Sequence, residues 1–123
     1  MSLDLDDVPV DFRPAVVATL TEVGVDGECH LGVVLVPPEE MRELNLRFRG
    51  RDEATDVLSI PIDETPSTPG PRELGDVFVC ESECQSVPEA VVHGVLHLCG
   101  FDHEGDQGEM FELQDRIMAG LDG

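Results

Sequence analysis

The sequence predicts an α+β fold: a single small domain in which a mixed β-sheet of about three to four strands packs with helices. Three observations carry this. The chain has 123 residues, enough for one core and too few for two, so residues 1–123 form one domain. Its apolar residues follow a helical period in some stretches and short β-branched runs in others, in the order helix, strand, helix, strand, strand, helix, helix. Gly24, Pro37-Pro38 and Pro61 punctuate the junctions.

In residues 12–24, Phe12, Val16, Val17 and Leu20 share one side of a helix that stops at Gly24. Residues 28–36 alternate loosely and are rich in β-branched side chains, a strand ended by Pro37-Pro38. Met41, Leu44 and Phe48 make 39–48 a second amphipathic helix. Thr55 to Ile60 is a short strand that Pro61 closes at a sheet edge, because proline cannot donate to a ladder. Residues 64–71, rich in proline, read as a mobile surface loop. Leu74 to Cys80 is an apolar strand suited to the sheet interior. Ser86-Val87-Pro88-Glu89 matches a capping box with proline in the first turn, so a helix starts there. Met110, Leu113 and Ile117 mark a last helix over about 106–119.

Composition narrows the function. No apolar stretch approaches the roughly 20 residues a bilayer span needs, and the acidic N-terminus is the reverse of a signal peptide's basic start. A cytoplasmic protein is expected. In that compartment Cys29, Cys80, Cys84 and Cys99 are expected to be reduced, with Cys80 and Cys99 as small core residues. A second metal site at Cys80 and Cys84 has only a weak spacing signal. The net charge is −20, and the chain contains no lysine, which disfavours generic nucleic-acid binding through a basic surface. Four of the seven arginines, however, are Arg42, Arg47, Arg49 and Arg51. Such a patch can hold phosphate at one place on an acidic body. Arg47 is expected to pair in part with Glu43, one helical turn away, while Arg49 and Arg51 flank Gly50 beyond the helix end.

The strongest chemical signal is His93-Gly94-Val95-Leu96-His97-Leu98-Cys99-Gly100-Phe101-Asp102-His103. His93 and His97 stand four apart and share a helix face. Gly100 supplies a left-handed helix stop, after which His103 can return toward the pair. Three imidazoles fill three positions of a tetrahedral zinc and leave the fourth for water, the pattern of a catalytic site. A lone histidine on such a helix would more often be a core residue bonded to a carbonyl. Two at this spacing are an even bet, and the third tips the balance toward one zinc ion per chain. Asp102 either orients one of these histidines or bonds its own turn. Asp56 and Asp76, at strand ends, either line the cleft or are merely solvated.

With those residues in place, the chain resembles the bacterial YbeY family of ribosomal-RNA maturation endoribonucleases. Three blocks carry the resemblance. The first is Leu44-Asn45 with Phe48-Arg49-Gly50-Arg51-Asp52 and Thr55-Asp56-Val57-Leu58-Ser59-Ile60-Pro61. The second is Leu74-Gly75-Asp76-Val77, and the third is the histidine block. Together they run from about residue 33 to the C-terminus. The resemblance implies zinc held by His93, His97 and His103, and an arginine in the substrate cleft that maps onto Arg49. It also implies cleavage of single-stranded RNA in maturation of the 3′ end of 16S ribosomal RNA, and ribosome quality control. The small ribosomal subunit is then the partner, with no membrane and no DNA. The chain departs from the family in a short connection, sixteen residues between Asp76 and His93, and in lacking basic residues near Asp52 and Ala54.

A metzincin-like zinc peptidase is the main rival, since its motif is His-Glu-x-x-His followed by a glycine and a third histidine. Gly94 stands where that enzyme has its glutamate base and cannot take a proton. Gly94 instead fits close packing against the sheet. A non-catalytic ribosome-associated metal-binding factor is the third reading.

Overall fold

A computed structural model of the protein describes residues 2–25, 28–62, 72–101 and 108–122. In chain order these form β1 (Ser2–Asp4), α1 (Arg13–Val23), β2 (Glu28–Leu35), α2 (Pro38–Arg49), β3 (Val57–Pro61), β4 (Arg72–Val79), α3 (Val87–Leu98) and α4 (Glu109–Asp122). Short 3-10 turns at Val10–Phe12 and Glu81–Glu83 lead into α1 and α3. The sheet order is β1-β2-β4-β3. The first three strands in that order run parallel, and β3 joins antiparallel at the edge, so the sheet is mixed as expected. Pro61 is the last residue of this edge strand, and the apolar β4 lies inside.

Helix α3 is the centre of the packing. It lies on β3 and β4 and touches α1 and α4. Val91, Val92, Val95 and Leu96 are fully buried there. Burial of each such side chain is worth about 1.5–3 kcal/mol. Gly94 lets the helix lie close to the sheet: a Cβ at that position would stand 2.5 Å from Val77 Cγ1 and 2.9 Å from Val57 Cγ2. On the opposite sheet face, α2 seals a smaller cluster of Val36, Met41, Leu58 and Cys80, with Phe78 packed against it.

Three expectations need revision. Strand β1 has no counterpart in the sequence reading: Ser-Leu-Asp is too short to carry a pattern, and only parallel pairing with Glu28 to His30 defines it. Helix α4 extends to Asp122, beyond the expected end at 119. Glu43 and Arg47 form no ion pair; Arg42 instead makes a forked contact with Asp52. The expected loop over 64–71 lies outside the described residues. All four cysteines are free, and the Cys84 thiol donates to the Cys80 carbonyl at 3.2 Å.

Candidate active site

Ser86 caps α3 by accepting from the Glu89 amide. The Glu89 carboxylate is turned elsewhere, accepting from Gln114 Nε2 at 3.0 Å. That bond fixes the amide, because a carboxylate only accepts, so Oε1 of Gln114 must face the other way. It meets His93 Nδ1 at 2.8 Å, and His93 therefore donates from Nδ1. His97 is fixed in the same sense at the far end of the helix. Gly100, at φ +97°, turns the chain in the left-handed region, and Phe101 N–H bonds back to Leu96. The Phe101 carbonyl then accepts from His97 Nδ1 at 2.9 Å.

With hydrogens committed to both Nδ1 atoms, the two Nε2 atoms present lone pairs toward one another, 3.0 Å apart. Facing lone pairs repel unless a proton or a metal cation lies between them. Two nitrogens each about 2.0–2.1 Å from one tetrahedral zinc stand roughly 3.3 Å apart. The pair is thus spaced and oriented to hold such an ion with little movement. Among the described residues no group of three or more metal-binding side chains gathers. His103 and Asp102 lie outside the described residues.

His93 and His97 open onto a cleft of about 600 Å³. Its opposite wall comes from the end of α2 and the segment that follows. Arg49 is the last residue of α2, not beyond it, and Gly50 at φ +70° ends the helix. Asn45 is buried and donates to the Glu53 carbonyl at 2.9 Å, tying that segment to the helix. Arg49 and Arg51 thereby line the cleft with Asp56, whose carboxylate accepts from the Val57 amide. Ser59 reaches from β3 to the Gly94 carbonyl at 2.8 Å, locking helix to sheet beneath the histidines.

Asp76 is not in this cleft, which corrects its candidacy there. Strand alternation explains why: Val77 faces α3 at Gly94, so Asp76 points to the other sheet face, over Gly32. Burial, and then the Glu73 charge, push its carboxyl up from the ordinary value. Nearby, His30 donates from Nδ1 to Glu73 and from Nε2 to Asp7. Hydrogen bonds to these two carboxylates, Glu73 first, raise its pKa. His30 does not line the cleft. The sequence reading missed Gln114 and the second role of Glu89. A glutamine on the buried stripe between Met110 and Ile117 was the available signal, since buried amides need partners.

The site of this α+β domain is thus a pair of converging imidazoles at a cleft that Arg49 and Arg51 help to line. The Endoribonuclease YbeY family model matches residues 2–122, and the chain belongs to that family. The similarity therefore starts well before residue 33. A relative from Alkalilimnicola ehrlichii named Endoribonuclease YbeY is 44% identical, over 89% of this chain and 75% of its own. One of the same name from Salinispora tropica is 38% identical over 92% and 88%. The solution structure of TM1509 from Thermotoga maritima matches with a TM-score of 0.50 and 32% identity, covering 85% of this chain and 74% of that one. Among the described residues no helix is long and apolar enough to cross a membrane.

Proposed function

We propose that this chain is a zinc-dependent endoribonuclease that cleaves single-stranded RNA in the cytoplasm. Its substrate is the 3′ end of 16S ribosomal RNA on the small ribosomal subunit, in maturation and quality control. The observation that carries the reading is the pair of Nε2 atoms converging at 3.0 Å under Arg49 and Arg51. His93 and His97, with His103 as third ligand, would hold the zinc. When bound, zinc supplies Lewis acidity and brings the pKa of a coordinated water to about 7.

The chain's own residues do the rest. Gln114 and Phe101 hold the imidazoles in one tautomer, so that neither has to reorganise during turnover. Arg49 and Arg51 take the phosphate, and Arg49 steadies the charge that builds on its oxygens as the bond to the leaving group breaks. Attraction to RNA rests on a few guanidiniums in a chain of net charge −20. Activity should therefore fall steeply with salt and gain from a ribosome that delivers the strand. The peptidase reading is disfavoured because Gly94 offers no general base, and even a Cβ at that position would press on Val77 and Val57.

The test sets naked single-stranded RNA, ribosome-bound precursor RNA and casein side by side, with and without chelator. Expected are cleavage of RNA, no cleavage of casein, and loss of activity on chelation while the circular dichroism of the fold persists. Casein cleavage abolished by His97→Ala, with neither RNA form cut, would overturn the assignment. RNA cleavage that survives complete removal of metal would overturn the zinc role.

A further inference from the structure

The cleft does not end at His93. On the side of α3 toward α4 lies a second cavity of about 340 Å³, which shares His93 and Asp56 with the first. The two lobes differ in charge. The first carries Arg49 and Arg51 beside the acids Glu53 and Asp56. Among the described residues no arginine lines the second: it has the acids Asp56, Glu83 and Glu89, the amides Gln85 and Gln114, and the ring of Phe111 beside that of His93. Phe111 is 47% exposed although it is large and apolar. Its ring centre stands 6.1 Å from that of His93, with the planes 36° apart. It lies one helical turn before Gln114 on α4, so the residue that orients His93 and the ring that walls the pocket share one face.

A phosphate would be repelled from a lobe lined by three carboxylates, whereas in the first lobe two guanidiniums offset Glu53 and Asp56 and give it a place to bind. With the backbone held on the arginine side, what can enter the second lobe is an uncharged group reaching past His93. An exposed aromatic wall suits a planar one, because unstacked bases of single-stranded RNA bind by stacking on such rings. The acceptors then discriminate. Carboxylate oxygens accept from the exocyclic amino group of cytosine or adenine, whereas uracil offers a carbonyl oxygen at that place. Acceptor would face acceptor.

We propose that this lobe is a nucleobase subsite, in which Phe111 stacks an unpaired base beside the scissile phosphate and the acidic lining selects cytosine or adenine over uracil. The inference rests on the nuclease reading for its setting, but its first test does not need cleavage. Cytidine and uridine, neither carrying phosphate, are titrated into the protein and followed by NMR. Cytidine should shift the Phe111 and Gln114 signals, uridine should move them several-fold less, and Phe111→Ala should lose the shift. The second test is cleavage of paired oligoribonucleotides that differ only by C or U next to the cut. Phe111→Ala should raise KM about fivefold or more, with kcat nearly unchanged, and Phe111→Trp should restore it. A Phe111→Ala enzyme with the wild-type KM overturns the subsite, as does uridine moving the same signals as far as cytidine. Cytidine binding at Phe111 without any RNA cleavage would instead overturn the nuclease reading and leave the base pocket standing.

Discussion

His30 and the His93–His97 pair are all partly buried imidazoles with partners on both ring nitrogens, yet they are wired for opposite tasks. At His30 both partners are carboxylates, Glu73 and Asp7. Two acceptor-only groups call for two N–H donors, so the ring is held as an imidazolium and its charge is spent on the fold. At His93 and His97 one nitrogen of each ring is matched to a neutral carbonyl oxygen, and the other is aimed at its twin. Neutral acceptors fix the tautomer without demanding a proton. The chain thus makes a structural histidine or a ligand histidine by the choice of carboxylate or carbonyl beside it.

The contrast is broken most severely by deleting the converging rings. His93→Ala with His97→Ala should abolish metal retention, read by elemental analysis, and lower RNA cleavage well beyond the roughly 100-fold that loss of an outer partner can cost. Metal retained in that double variant would refute the site. Arg49→Ala comes next. Cleavage should fall on the order of 10²-fold, as for loss of one donor to a developing oxyanion, while stability stays within about 0.5 kcal/mol. Unchanged cleavage would remove Arg49 from the mechanism. Gln114→Leu keeps both imidazoles but frees the His93 ring from its acceptor, and metal affinity should drop about tenfold, measured by competition with a chelating dye. An unaltered affinity would show that α3 alone orients the ring.

The smallest effect is at His30. Its pKa is raised above the ordinary 6.5, so its contribution to stability is fully present below pH 6.5 and is lost as pH rises through the folded value. His30→Gln should therefore be less stable than the wild type in acid denaturant titrations and converge with it at alkaline pH. Cleavage should be untouched. A stability difference that grows with pH would mean that the ring is not held as the cation.

Much of this was legible in the sequence, for reasons that particular residues make plain. The helix carrying His93 and His97 announces itself through local signals, Ser86 at its start and Gly100 past its end, and both behave in the structure as their chemistry requires. The interior position of β4 follows from its apolar run. What could not be read was pairing across the chain. Gln114 meets His93 and Glu89 only because α4 folds back on α3, and twenty or more residues separate the partners. Asp76 sat in a recognisable motif, but its side depends on which sheet face receives α3. The three-residue β1 exists only through β2.

The packing at Gly94 also bears on how such a protein can change over time. Glutamate at this position would complete a peptidase motif. Here that substitution would drive a side chain into Val57 and Val77, against a helix already bonded to β3 through Ser59. The substitution would therefore cost stability before any new activity could count. Two valines on neighbouring strands, one of them in the floor of the cleft itself, thus stand as a barrier in sequence space between two reactions that share the same metal-binding spacing.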